Sequence, residues 1–372
     1  MLIPDSLPWS ERLAQSIMMR HEEAWTTEND AAPEWDYKIG LLMTAFEHLH
    51  QSTGKKEYLD YMVEYANTIV DEQGQILDYK LEEYNIDLIN PGKFLFYLNE
   101  QTSDPRYLTA IHTLRQQLET HPRTESGGFW HKKIYPYQMW LDGLYMGTPF
   151  YTRYTMTFED GAKLDDIIHQ YRLIEEHLRD EATGLYFHGW DESGQMPWAD
   201  DETGRSPGFW ARSMGWYAMA IVDVLDFLPE SHLVHQELIT YVIGLATALV
   251  KVQDDSGLWY QVPDQADGSG NYLEASSSAM FSYALAKGVE KGYLGAEYQQ
   301  VAERAFTGLT EELARVDEAT GEVSIIQICG SAGLGGNPYR DGTYEYYIGE
   351  KIKTNNLHGT GPFILAALAL KR

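Results

Sequence analysis

Apolar residues follow two different patterns along this chain. Six segments are apolar on nearly every side, and they align on one small residue each: Gly40, Gly92, Gly147, Gly215, Ala279 and Gly361. Between them lie amphipathic stretches, such as residues 58–70 and 233–252, in which apolar positions recur at helical spacing. A helix that is apolar all round is buried, whereas an amphipathic helix faces water on one side. The pattern therefore predicts six buried helices that alternate with six partly exposed ones.

Six such pairs indicate an all-α fold, the (α/α)6 toroid, in which an inner ring of six helices is wrapped by an outer ring of six. A turn and a short extended arm follow most of the amphipathic stretches, for example from Gly127 and from Thr183. An open α-solenoid of helix pairs is the alternative fold, but the aromatic-rich, glycine-punctuated inner segments favour a closed ring. No linker of different composition interrupts the series, so we expect a single domain over residues 1–372.

One position of the repeat carries polar and aromatic side chains. Five residues before the aligned small residues stand Trp35, Asp87, Asp142, Trp210, Glu274 and Asn356. Pro91, Pro149 and Pro362 lie close to the aligned residues, and proline is best tolerated in the first turn of a helix. We therefore expect the six side chains at the N-terminal mouth of the inner ring. Aromatic rings stack on sugar faces and carboxylates bind hydroxyls, so this mouth is typical of a carbohydrate site.

Charge and cysteine content limit the possible partners. A formal net charge of −28 argues against nucleic acid and against an anionic membrane surface as partners. The N-terminal residues lack a signal-peptide pattern, and no apolar run approaches the ~18 residues of a transmembrane span, so we expect a cytoplasmic protein. Cys329 is the only cysteine and the twelve histidines show no ligand spacing, so we expect no metal site. The sequence makes no prediction of the oligomeric state.

Several longer segments resemble the unsaturated rhamnogalacturonyl hydrolases, glycoside hydrolase family 105. These segments are SGGFWHKKIYPY, QMWLDGLYMGTPF, TGLYFHGWDE, MPWAD, FWARSMGWY, GLWYQV and NNLHGTGPFILAAL. The resemblance extends from about Trp35 to the C-terminus. It implies an (α/α)6 barrel that needs no metal or organic cofactor. It also implies a small unsaturated oligosaccharide as substrate, the product of pectin lyases, with a 4,5-unsaturated galacturonyl residue on rhamnose.

The resemblance also assigns roles to single residues. The catalytic acid of the family corresponds to Asp142, and a second acidic position corresponds to Asp87. The other matched positions are expected to bind substrate: Asp36, Tyr37, His131, Lys132, Tyr135, His188, Trp210, Arg212, Trp216, Ser331 and Ala332. The segment at 334–351, LGGNPYRDGTYEYYIGEK, is longer than the resemblance leads us to expect.

The chemistry of an unsaturated uronate explains an acid in this setting. Protonation of C4 places positive charge on C5 and the ring oxygen, water adds at C5, and the resulting hemiketal opens and expels the neighbouring sugar. One carboxyl that is protonated at rest can serve both steps. The apolar residues at 140–146 and a like charge on Asp87 are expected to raise the pKa of Asp142. Arg212, in an apolar segment, is expected to pair with the uronate carboxylate.

Two other functions remain open from the residues. An unsaturated glucuronyl hydrolase that acts on disaccharides from glycosaminoglycans would share the toroid and the chemistry. A sugar-binding or epimerase-like toroid would not hydrolyse at all, although an epimerase needs paired histidines for proton exchange at a saturated sugar. Each acid also has a structural alternative as a helix cap, and His131 and His188 have one as buried hydrogen-bonding residues.

Overall fold

The computed structural model describes residues 2–28 and 31–372, and it is mainly helical. The helices are, in chain order, α1 (Trp9–Arg20), α2 (Tyr37–Thr53), α3 (Lys56–Ile69), α4 (Gly92–Thr102), α5 (Pro105–Thr120), α6 (Leu141–Phe158), α7 (Leu164–Leu178), α8 (Ala211–Leu225), α9 (Leu233–Lys251), α10 (Ala275–Glu290), α11 (Glu297–Gly308), α12 (Tyr344–Gly349) and α13 (Leu357–Ala369). Short 3-10 turns cover Ala24–Thr27, Leu81–Glu83 and Ile86–Ile89, and a π turn covers Leu309–Leu313.

Six of these helices form a closed inner ring. In order around the ring, α2, α4, α6, α8, α10 and α13 each pack on the next, and α13 packs back on α2. Each inner helix is covered by one outer helix: α2 by α3, α4 by α5, α6 by α7, α8 by α9, α10 by α11 and α13 by α1. The predicted (α/α)6 toroid is therefore confirmed. The open solenoid is wrong, because the last inner helix contacts the first.

The predicted burial pattern is visible in single helices. Every residue of α8 is buried, whereas α3 buries one face through Tyr58, Tyr61, Met62, Tyr65, Ala66 and Ile69. The aligned small residues allow close packing within the ring. A Cβ on Gly40 would lie 2.5 Å from the Cα of Pro91, a distance that real side chains do not adopt. The repeat therefore marks places where inner helices meet.

Most of the inner helices begin at the repeated polar position. Trp210, Glu274 and Asn356 are N-caps, Asp142 lies in the first turn of α6, and Asp87 lies in the 3-10 turn that precedes α4. The proline argument behind that prediction was partly wrong. Pro91 does precede α4, but Pro149 and Pro362 lie inside their helices. Proline at these places removes one backbone N–H from each helix without ending it.

Short strands bring the arms to the same end of the ring. They are β1 (Gln138–Trp140), β2 (Gly189–Asp191), β3 (Ala314–Val316), β4 (Val323–Ile325), β5 (Ile328–Cys329) and β6 (Ile352–Lys353). They pair antiparallel as β1–β2, β3–β4 and β5–β6, with Trp140 opposite Gly189. β1 leads directly into α6 and therefore joins two arms beside Asp142.

Among the described residues, α9 alone is long and apolar enough to span a membrane by length and composition. It packs on α7 and α8 as part of the outer ring. An apolar helix of this length is also common in the core of large helical proteins, so α9 carries no argument for a membrane.

Candidate active site

Asp142 lies at the start of α6, where unpaired helix N–H groups favour a carboxylate. The residue is buried, with 9% of its surface exposed. Its Oδ2 lies 3.2 Å from Nε2 of His188, but the two atoms are not aligned as a hydrogen bond. In the described part of the chain, Asp142 forms no ion pair with a lysine or arginine. Its carboxyl is thus close to one imidazole and not neutralised.

His188 is held by a tyrosine that the sequence analysis did not single out. Nδ1 of His188 lies 2.9 Å from the hydroxyl of Tyr347. Burial raises the pKa of Tyr347 well above 10, so the hydroxyl keeps its proton and is available as a hydrogen-bond donor to Nδ1. Burial also lowers the pKa of His188, which favours the neutral ring. When Tyr347 donates to Nδ1, the proton of this ring is on Nε2, the nitrogen that lies 3.2 Å from Oδ2 of Asp142.

Asp87 is paired in a different way. Its Oδ2 lies 2.6 Å from Nζ of Lys132 and its Oδ1 lies 3.2 Å from Nε2 of His131. Burial alone raises the pKa of Asp87, but Lys132 and His131 outweigh burial and hold it below its usual range. Asp87 is therefore an ionised carboxylate with a bound cation. The sequence predicts that Asp87 places a like charge near Asp142, and in the structure Lys132 compensates the charge of this carboxylate.

Tyr37 lies between the two acids and forms a second tyrosine–histidine contact. Its hydroxyl lies 2.7 Å from Nε2 of His358, and Nδ1 of that ring lies 2.6 Å from Oδ1 of Asn356. Burial, followed by the charges of Asp87, Asp36 and Asp142, raises the pKa of Tyr37 well above 10. Tyr37 therefore donates to His358. His358 lies in NNLHGTGPFILAAL, one of the segments that resemble family 105, but the sequence predicts no role for it.

Asp36 caps α2 beside Tyr37. Its side chain accepts a hydrogen bond from the N–H of Lys38 at 2.7 Å, and its Oδ2 lies 3.7 Å from Nζ of the same lysine. Burial raises the pKa of Asp36 to about 6, and the charge of Lys38 only partly opposes this. A structural cap is thus one role of this predicted contact residue.

Arg212 is fully buried and holds the strand that leads to Ser331 and Ala332. Its Nη1 donates to the carbonyl of Cys329, and its Nη2 donates to the carbonyl of Gly330 at 3.2 Å. No carboxylate of the described residues lies within 4.0 Å of its guanidinium. The predicted contact with a uronate remains a prediction, while the observed contacts give Arg212 a positioning role.

Aromatic rings form the walls of the mouth. Trp140 stacks on His131 at 4.4 Å and on Tyr135 at 4.9 Å. Trp216 lies edge-on to Tyr37 at 6.5 Å. Trp140 thus packs against the arm that carries His131 and Tyr135, and Trp216 packs against the first residue of α2.

The remaining predicted positions join the same network. Trp210 lies 4.9 Å from the ring of His188, and the ring of Trp35 donates to the carbonyl of Leu88, next to Asp87. Trp210, Arg212, Trp216 and His188 are nearly fully buried, whereas Tyr135, Lys132, Ser331 and Ala332 are at least partly exposed. The structure thus brings the predicted residues to one end of the ring, some as support and others on the surface of the mouth.

A closed helical ring with two carboxylates in an aromatic mouth defines a toroid of the carbohydrate-active class. Residues 9–372 match the model of Glycosyl Hydrolase Family 88. The chain therefore belongs to this glycoside hydrolase family, and the prediction that it is a glycoside hydrolase is confirmed. The non-hydrolytic alternative is wrong.

Similar proteins support the same assignment. A solved glycoside hydrolase of family 105 from C. acetobutylicum ATCC 824 is 43% identical, with a TM-score of 0.94, over 98% of this chain and 99% of that chain. The unsaturated rhamnogalacturonyl hydrolase YesR of Bacillus subtilis (strain 168) is 28% identical over 79% of this chain and 81% of its own length. Protein Atu3128 of Agrobacterium fabrum is 37% identical over 59% of this chain and 96% of its own length. The resemblance to family 105 is thus confirmed.

Proposed function

We propose that this enzyme releases the 4,5-unsaturated galacturonyl residue from rhamnogalacturonan-derived unsaturated disaccharides and oligosaccharides, a late step of pectin degradation. The observation that carries the proposal is the placement of Asp142, a buried carboxyl that pairs with no lysine or arginine of residues 2–28 and 31–372, beside Nε2 of a neutral His188. The similarity to YesR supports the choice of substrate.

Asp142 is proposed to serve as both acid and base. It donates its proton to C4 of the double bond, and the positive charge that results is shared between C5 and the ring oxygen. The N–H at Nε2 of His188 then stabilises the carboxylate that has formed, because a charge-assisted hydrogen bond is stronger than a neutral one. Asp142 next takes a proton from the water that adds at C5, which restores the acid. The hemiketal opens and the neighbouring sugar leaves.

The other charged groups suit binding rather than proton transfer. Asp87 is held as an anion by Lys132 and His131, so it is an acceptor for sugar hydroxyls and an electrostatic partner for positive charge in the ring. Arg212 supplies a buried positive charge without an acid within 4.0 Å among the described residues, which favours a uronate carboxylate nearby. This charge offsets the repulsion that a strongly acidic protein exerts on an anionic sugar.

The test is the loss of ultraviolet absorbance from the conjugated double bond. The enzyme is mixed with unsaturated galacturonyl-rhamnose and, separately, with an unsaturated glucuronyl disaccharide from a glycosaminoglycan. We expect faster loss with the rhamnose disaccharide, no cleavage of its saturated counterpart, and a deuteron at C4 of the product in deuterium oxide. Faster turnover of the glycosaminoglycan disaccharide would contradict the proposed substrate, and cleavage of the saturated sugar would contradict the mechanism.

A further inference from the structure

The segment 334–351 forms one side of a groove beside the catalytic mouth. The groove has a volume of about 610 Å³ and is bounded by Tyr135, residues 336–340 and the end of α12. This volume lies in the range of ligand sites, roughly 300 to 1,000 Å³. Because Tyr135 stacks on Trp140, the groove and the mouth share a wall.

The segment is anchored to the catalytic residues. Gly335 and Arg340 pair in an antiparallel bridge, and Leu334 packs with Trp140 in a buried cluster. Further along, Tyr347 contacts His188 through its hydroxyl. The position of the groove relative to Asp142 is thus set by buried contacts at both ends of the segment.

Arg340 presents its guanidinium to the shared wall. Nη2 donates to the hydroxyl of Tyr135 at 2.8 Å and to the carbonyl of Leu334 at 3.1 Å, and Nε donates to the carbonyl of Gly335 at 2.7 Å. Gly333 leaves the space for this group, since a Cβ there would lie 2.3 Å from Nη1. The arginine is therefore held in place by neutral groups.

The charge of Arg340 is not balanced by a neighbouring acid. No carboxylate in the described ranges lies within 4.0 Å of it, and Nη1 donates no hydrogen bond there. The acids that line the groove, Glu345 and Glu350, belong to α12 or follow it directly. An oriented guanidinium with a free donor and no acid partner is a binding group for a carboxylate.

We propose that Arg340 binds a carboxylate on the part of the substrate that leaves, so that the enzyme prefers unsaturated oligosaccharides with a second acidic sugar beyond the cleaved linkage. An unsaturated ring always ends its chain, so it occupies the mouth, and the rest of the chain must extend outward. The groove beside Tyr135 is open for that part of the chain. This inference rests on the proposed function and names the class of oligosaccharide that the site takes.

The experiment compares two trisaccharides that differ in one group. Both begin with unsaturated galacturonyl-rhamnose, and the third sugar is galacturonate in one and galactose in the other. We expect kcat/KM to be about fivefold higher for the acidic trisaccharide, the upper range for a partly exposed ion pair. In Arg340→Gln this ratio should fall to about one, and in Arg340→Lys it should lie between, because lysine keeps the charge without the planar donors. Added salt should lower the wild-type ratio.

Arg304→Gln is the matched control, since it makes the same charge change on the exposed surface of α11 and should keep the wild-type ratio. A wild-type ratio of one with normal turnover of the disaccharide overturns this inference and leaves the proposed function standing. An equal loss for both trisaccharides and for the disaccharide in Arg340→Gln also overturns it, because the arginine would then serve the unsaturated ring itself. Failure to hydrolyse any unsaturated saccharide overturns both proposals.

Discussion

The two ends of the helical ring contain similar buried charges in different arrangements. At the end opposite the mouth, where α8 and α10 end, Lys287 lies 2.8 Å from Asp223 and 2.6 Å from Asp226, the C-cap of α8. The hydroxyl of Tyr283 also donates to Asp223 at 2.7 Å. Asp142, at the mouth, lies beside the neutral His188 and forms no ion pair with a lysine or arginine of the described residues.

This difference separates structural from chemical roles. Burial alone raises the pKa of Asp223, but Lys287 and then Lys93 outweigh burial and lower it. A buried acid with a cation and a tyrosine donor has satisfied its charge and stays ionised. Asp142 forms no such ion pair within the described ranges, and it is the acid proposed above to exchange a proton. Composition alone does not distinguish the two, since both ends combine aspartate, tyrosine and a basic side chain.

The largest effect should come from Asp142→Asn. Asparagine keeps the size of the side chain but has no proton to donate, so turnover should fall by at least the ~100- to 10,000-fold attributed to general acid–base groups. Thermal unfolding should change little, because Asp142 forms no ion pair with a lysine or arginine in the part of the chain that the structure describes. Absorbance assays and calorimetry measure the two quantities. Asp87→Asn is the comparison variant and should lose less turnover. Near-normal turnover of Asp142→Asn would show that another residue is the catalytic acid.

At the other end of the ring we expect a substitution to lower stability and to leave turnover unchanged. Lys287→Met leaves Asp223 and Asp226 without their cation, which should lower the free energy of unfolding by about 3 kcal/mol. This value is the lower end of the range for a broken buried ion pair, because Asp226 is partly exposed. The turnover number should be retained. Denaturant titration measures the stability, and adding Asp223→Asn to Lys287→Met should recover part of it. Loss of turnover in a folded Lys287→Met protein would contradict the separation of the two ends.

A smaller effect should follow from Tyr347→Phe. The change removes the hydroxyl that contacts Nδ1 of His188, so the imidazole proton is no longer directed to Nε2. We expect the turnover number to fall by up to about tenfold, which corresponds to the loss of one hydrogen bond. KM should change less than the turnover number. Tyr344→Phe, on the same helix, is the control and should behave as the wild type. Equal kinetics of the two variants would mean that Tyr347 does not set the tautomer.

The smallest effect concerns Lys93, a buried lysine in the first turn of α4. Nζ of Lys93 is buried, has no hydrogen-bond partner among the described residues, and lies 3.5 Å from the centre of the Tyr145 ring. Burial lowers its pKa to about 7 from 10.5, and Asp223 and Glu47 only partly oppose this. Between pH 7 and pH 10.5, Lys93 binds more protons in the unfolded chain than in the folded protein. The contribution of Lys93 to the free energy of unfolding therefore rises from pH 7 towards pH 10.5, and it is lost as pH falls through about 7.

Lys93→Met should remove this dependence. The difference in unfolding free energy between wild type and variant, measured by denaturant titration across this range, should therefore change in favour of the wild type as pH rises. A difference that is constant with pH would show that Lys93 stays charged over this pH range in the folded protein, and that a polar group stabilises its charge there.

The sequence by itself determined the ring and the place of the mouth. Helical periodicity and burial are local properties, so the all-apolar segments around Gly40 and Gly215 predicted inner helices, and the polar position before them predicted where Asp142 and Asp87 lie. The prediction from the prolines was wrong in part, because Pro149 and Pro362 lie inside helices that are packed between neighbouring helices of the ring.

Only the tertiary structure decided the state of each acid. Asp87 is ionised because Lys132, 45 positions later in the chain, lies 2.6 Å away, and Nδ1 of His188 contacts the hydroxyl of Tyr347, which is 159 positions away. Arg340 reaches Tyr135 across 205 positions. Protonation and hydrogen bonding depend on contacts of about 3 Å between atoms. Such contacts arise when the ring closes, and the local pattern of apolar and polar residues does not encode them.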